Sequence, residues 1–251
     1  MRHFALIDAI ERQSEELRTV LLDTGPGVPV ATCPGWTSND ILGHMAWAYG
    51  AAMTGMDSPP DGPMPDFGQS PKDWGEALGA WDVARGKLLE RLNGIDPAAT
   101  RAWVFSPAAE KTAVFWLRVV AHETAIHRLD TEHARAGGES REMLESITFD
   151  AELAMDGIEE YLTLLVPAFV PRRDPITIEG DVTYRATDTD RVWHVRVRPG
   201  AVPQVVDTAG THERSASVTG SADAVYRELW GRPSNAVVTG DHELIETLRS
   251  P

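Results

Sequence analysis

A change of hydrophobic period divides this chain of 251 residues. Up to about residue 140, apolar residues recur every three or four positions, the spacing of one helix face; after about residue 175 they alternate, the spacing of a half-buried strand. No single type of element satisfies both periods. The sequence therefore predicts a helical part followed by a mixed one.

Phe4, Ile7, Ile10, Leu17 and Leu21 predict a first helix from Phe4 to about Asp23, stopped by Gly25, Pro26, Gly27 and Pro29. A second begins after CPGW, with Thr37 as N-cap and Asp40 three residues on, and turns Ile41, His44, Met45 and Ala48 inward. Met53–Ser70, rich in Pro and Gly, reads as a loop. Pro71 fits the first turn of a third helix that buries Trp74, Leu78, Trp81, Leu88 and Leu92. Thr112–Ala136 reads as the fourth, ended by Gly137 and Gly138. Four such helices fit an antiparallel bundle, a fold that builds metal sites from side chains on facing helices.

A fifth helix is expected from Met143 to Val166, then short strands at Thr177–Glu179, Val182–Ala186, Val192–Arg198, Val202–Val206, Ser215–Thr219 and Asn235–Val238. Helices Ala222–Trp230 and His242–Leu248 complete the chain. The fold class is α followed by α+β, with domains at residues 1–140 and 141–251.

The net charge of −15 argues against nucleic acid, which requires clustered Lys and Arg. A lone cysteine, Cys33, excludes an internal disulfide framework and points to the reduced cytoplasm. The N-terminus does not read as a signal peptide, and no apolar run approaches the roughly 20 residues of a membrane span.

Glu123 and His127 stand one turn apart in the fourth helix, so a carboxylate and an imidazole share a face. That spacing alone is common on solvated helices. Here it falls in the apolar stretch from Val114 to Ile126, where charged residues need a partner or a metal. The best source of a third ligand is His44, inside the second helix. Two imidazoles and a carboxylate suit Zn²⁺ with an open fourth position, and the same donors accept Fe²⁺, Ni²⁺ or Mn²⁺. His122 points roughly 100° away from Glu123 and falls outside the site. Asp130 is placed either to accept the second N–H of His127 or to pair with Arg128 or solvent. His133 is expected in solvent. Cys33 reads as structural, and the tryptophans as core, with one or two of them available to line a pocket.

In TCPGWTSNDILGHMAWAY, VFWLRVVAHETAIHRLDTEHA, DTDRVWHVRV, SASVTGSADAVYRELWGRP and VTGDHELIETL, taken in order, the chain resembles the mycothiol-dependent maleylpyruvate isomerase family of actinobacteria. The resemblance implies a DinB-like four-helix bundle followed by a small sterol-carrier-like α+β domain. It implies zinc on His44, Glu123 and His127, with the thiol cofactor mycothiol binding sulfur-first near the metal. It also implies that Arg232, in LWGRP, reaches toward the catalytic cleft. The expected function is a zinc-dependent enzyme that activates mycothiol as a metal-bound thiolate for addition to a small electrophile, by S-transfer or cis–trans isomerisation. Two rivals stay open at this point: a non-catalytic small-molecule-binding protein with a structural or absent metal, and a metal-dependent hydrolase. A monomer is the expected state.

Overall fold

Residues 1–138, 146–210 and 212–249 are described by a computed structural model. They form two compact units, the first of residues 1–105 and 109–138, the second of residues 106–108, 146–210 and 212–249. No helix among the described residues is long and apolar enough to cross a membrane.

The first unit is a set of four helices. In α1 (His3–Thr24) the stripe Leu6, Ile7, Ile10, Leu17 and Leu21 is buried. Phe4, expected on that stripe, is 57% exposed in the first turn and lies beneath the Arg2 guanidinium. After α1 the chain makes a tight turn at Cys33–Trp36, closed by Trp36 N–H donating to Cys33 O at 2.9 Å. Pro34 holds the second position and Gly35, at φ 85°, the third, the type II pattern.

The second helix, α2 (Ser38–Asp57), opens with the Asp40 carboxylate accepting from the Thr37 N–H and hydroxyl. These bonds hold the Asp40 carboxyl below its ordinary range. The helix runs past Met53, where a loop was expected, because Gly55 lies flat against Trp116 and Met56 is buried. In α3 (Trp74–Asn93) the cap is Asp73, which accepts from Glu76 N–H at 2.9 Å. Pro71 thus precedes the helix instead of entering its first turn. Its carbonyl rests against Gly43 of α2, where a side chain would collide with it. Ala77, Trp81, Leu88 and Leu92 form the buried stripe, while Trp74 and Leu78 are half-buried.

The fourth helix, α4 (Ala113–Arg135), ends as expected, with Gly137 and Gly138 at positive φ and their N–H groups donating to Ala134 O and His133 O. It packs against α1 and α2, and α2 also packs against α3.

The helix expected from Met143 to Val166 is interrupted, since residues 147–150 carry no helix. Met143–Glu145 lie outside the described residues; α5 (Ala151–Glu160) starts where the Asp150 carboxylate accepts from Leu153 N–H. A π turn at Tyr161–Leu165 follows, then α6 (Val166–Phe169) and a 3₁₀ turn at Val170–Arg172. Pro167 lacks the N–H an α-helix would require there. Its effect is local, and the chain continues helically through it.

Thr177–Glu179 carries no regular strand. The sheet comprises β1 (Gly180–Ala186), β2 (Arg191–Val197), β3 (Gln204–Val206), β4 (Ser215–Gly220) and β5 (Val237–Gly240), in the order β3-β2-β1-β4-β5. Only β1 and β4 are parallel. Among the strands that form, the edge strands shift: β3 is shorter than expected and β5 starts two residues later than Asn235. In β1 and β2, Val182, Tyr184, Trp193 and Val195 are buried, and α7 (Ala222–Leu229) and α8 (His242–Leu248) pack on the sheet.

Candidate metal centre

Glu123 lies between two imidazoles. Its Oε2 is 3.0 Å from His44 Nε2 on α2 and 3.3 Å from His127 Nε2 one turn along α4. One donor atom from each of the three residues falls within 4.8 Å of the other two. The helices carrying them are tied beside the cluster. Thr124 donates to Val120 O, so the Tyr49 hydroxyl is the donor to Thr124 Oγ1, at 2.9 Å. Tyr49 is fully buried, which pushes its phenol up to about 12 and keeps it neutral.

The other face of His127 is closed by a loop. Asp130 Oδ2 is 3.0 Å from His127 Nδ1, and a carboxylate can only accept, so Nδ1 carries the proton and Nε2 is left to Glu123. Asp130 is wholly buried and also accepts from Thr32 Oγ1 at 2.6 Å and Cys33 Sγ at 3.4 Å. Thr32 and Cys33 lie at the entry to the turn at Cys33–Trp36, which lays the Trp36 ring on His127 at 5.9 Å and 20°. Arg128, the alternative partner for Asp130, reaches Gln13 and Glu16 instead.

The electrostatics follow from these contacts. Burial pushes the Glu123 carboxyl up, but hydrogen bonds with His127 and His44, and their charges, outweigh it and hold the group well below the ordinary carboxylate range. Burial pushes His127 down, but hydrogen bonding to Asp130, Cys33 and Glu123 outweighs it and raises the imidazole well above its ordinary value. Glu123 is thus a charged carboxylate available to a cation, whereas His127 would have to give up its Nε2 proton to bind one.

Two imidazole nitrogens and one carboxylate oxygen converging from two helices match the donor types and number of a three-ligand zinc site. A second cation-sized group among the described residues, Cys33, His127 and Asp130, shares His127. The hydrogen bonds within it make it the support of the first. His122 is fully buried and belongs to neither group. His133, expected in solvent, is 3% exposed, because the last turns of α4 are covered on nearly every side.

Arg232 lies in the second unit, just after α7. It is 9% exposed; its backbone N–H donates to Arg227 O and its Nη1 to Trp230 O at 2.6 Å. It therefore completes a helix end, aided by Gly231 at φ 67°.

A helical unit with an imidazole–carboxylate cluster, followed by a small mixed sheet with helices, places the chain among proteins that pair a helical domain with a small α+β domain. The model of the mycothiol maleylpyruvate isomerase N-terminal domain matches residues 7–132, and that of the C-terminal domain of the same isomerase matches residues 152–247. The chain belongs to this family of enzymes. Among solved structures, the mycothiol-dependent maleylpyruvate isomerase and a histidine-to-alanine mutant of it share the fold. For each, the TM-score is 0.55 and the identity 15%, over 100% of this chain and 95% of the other. No curated protein matches the sequence.

Proposed function

We propose that the protein activates mycothiol for addition to a small electrophilic substrate, with Zn²⁺ held by His44, Glu123 and His127. The observation that carries this reading is the convergence of those three donors within 4.8 Å in a chain of this family. When bound there, Zn²⁺ supplies the charge that keeps a coordinated thiol deprotonated at neutral pH, where a free thiol of pKa about 8.5 is mostly protonated.

The protein's residues do the rest. Asp130 fixes the His127 tautomer. Trp36 stacks on the His127 ring, and Trp36 and Trp47 flank His44 at a tilt. Arg232 is the candidate cation for the enolate that develops when sulfur adds beside a carbonyl, on the strength of the LWGRP resemblance. Addition and elimination at a cis double bond give isomerisation; addition alone gives S-transfer.

The test is turnover of electrophiles by zinc-loaded protein with and without mycothiol. Dependence on the thiol supports the reading. Turnover that persists in water alone would favour the hydrolase, in which a zinc-activated water attacks.

A further inference from the structure

The metal cluster is not equally covered on all sides. His44 and Glu123 each keep 22% of their side-chain surface, against 7% for His127 and none for Asp130, so a reactant arrives on the His44–Glu123 side. Its surroundings there are aromatic. Trp36 lies 5.3 Å from His44, and Trp47, three residues along α2 on the same face, lies 5.7 Å from it. Both indoles are half-buried, so each presents part of its surface.

The row continues into residues 58–73, between α2 and α3. Phe67 meets Trp47 edge-on at 6.4 Å, Trp103 at 5.5 Å and Trp116 at 6.0 Å. Trp116 Nε1 donates to Trp103 O at 2.5 Å, and Trp103 N–H to Gly55 O at 2.9 Å, so the base of the row is fixed. Phe67 is the one ring of the row that this Pro- and Gly-rich segment contributes, and it holds the segment against α2.

Charge narrows the choice of reactant. Residues 57–73 carry Asp57, Asp61, Asp66 and Asp73 against Lys72 alone. Three basic residues at this segment are engaged in ion pairs: Arg91 with Asp57, Lys111 with Asp61, and Lys72 with Asp40. Within this segment a dicarboxylate would meet four acids and a paired lysine, leaving the metal's own charge to attract it. A flat neutral ring would meet indole faces.

We propose that the electrophile of this site is a flat, uncharged, conjugated aryl enone whose ring lies against Trp47 and Trp36, with Phe67 holding the outer end of that wall. The proposal rests on the thiol-activating reading above. In the step, sulfur forms a C–S bond to the β-carbon, the C=C π pair becomes a bond between the α-carbon and the carbonyl carbon, and the carbonyl π pair moves to oxygen. Solvent then protonates the α-carbon, replacing the proton lost by the thiol, and the carbonyl re-forms. The adduct is the sum of thiol and acceptor, and no oxidant is required.

Two measurements on the zinc-loaded full chain test it. Calorimetry with 2-acetylnaphthalene, a flat aryl ketone with no acceptor double bond, reads the wall without any reaction. Trp47→Leu, which keeps apolar bulk but no ring, and Phe67→Ala are each expected to weaken binding about three- to tenfold, the range of one aromatic contact. Rates of mycothiol addition to benzylideneacetone and to maleate read selectivity. Wild type is expected to favour the aryl enone at least tenfold, and Trp47→Leu to shrink that ratio. If no electrophile turns over, thiol activation fails as a function, and the calorimetry still decides the wall. Binding insensitive to Trp47→Leu, or a wild-type preference for maleate, overturns the proposal.

Discussion

Asp130 holds the Nδ1 proton of His127 at 3.0 Å and so turns the opposite nitrogen, Nε2, toward Glu123. The two residues are three apart on α4, yet Asp130 is set by a distant loop, through Thr32 and Cys33. Asp130→Asn replaces an acceptor that fixes one tautomer by an amide that tolerates either. Zinc affinity is expected to fall about 10–100-fold, the usual effect of losing the hydrogen-bond partner of a metal-bound histidine. Thr32→Val, which removes one support of Asp130, should cost less. Competition with a chelating dye measures both, and an Asp130→Asn protein with wild-type affinity would contradict the assigned role.

Arg232→Ala separates turnover from metal binding. Zinc content is expected to stay at the wild-type level, while thiol addition falls at least tenfold, the loss of about 1.4 kcal/mol of transition-state stabilisation. Arg232 also donates to Trp230 O, so a stability loss of about 1 kcal/mol is expected alongside. Rates measured well below the melting temperature distinguish the two. Full activity in the variant would leave Arg232 as a helix-end residue only.

Gly55→Ala tests the join between α2 and α4. Alanine favours a helix interior over glycine by about 1 kcal/mol. Here the new methyl group would run into the Trp116 indole, whose Nε1 is already tied to Trp103 O. Overpacking is expected to win, with a net destabilisation of about 1–3 kcal/mol in urea unfolding. A stabilised variant would mean that Trp116 moves freely.

Acid should remove the tie between α1 and α3. Arg18 donates to both carboxylate oxygens of Asp82, at 2.8 and 2.9 Å, and this holds the Asp82 carboxyl below its ordinary value. A depressed folded-state pKa stabilises above the unfolded value of about 4, and that contribution is lost as pH falls through the folded value. With Asp82 37% exposed, solvent screening limits it to about 1 kcal/mol. Wild type should exceed Asp82→Asn in stability at pH 7, with the gap shrinking as the pH falls below about 4. A gap that persists in acid would assign it to packing.

Much of the fold is legible in period and punctuation. The capping pair Thr37 and Asp40, the glycines after α4 and the alternation through β1 and β2 are local signals, and the structure follows them. Boundaries move where a distant contact overrides a local signal, as at Gly55 against Trp116 or Pro71 against Gly43. The placement of His44, Glu123 and His127 is legible because two of them share a helix face and the third lies in an amphipathic helix. Their support is less so. Cys33 reads as structural from the sequence, and Thr32 carries no signal, because each meets Asp130 only through a turn about 100 residues away in sequence. The CPGW turn, with Pro and Gly in type II positions, is the feature that could have drawn attention to both. His133 reads as polar and therefore exposed, but its burial is set by the number of elements around α4, which no window of sequence contains.

The most direct test of the proposed centre is the zinc content of the purified protein and of Glu123→Ala, by mass spectrometry. The expected result is about one equivalent in the wild type and a large loss in the variant, since Glu123 is one of the three proposed ligands and lies between the other two. Full occupancy in Glu123→Ala, or a wild-type protein that takes up no metal after incubation with zinc, would contradict it.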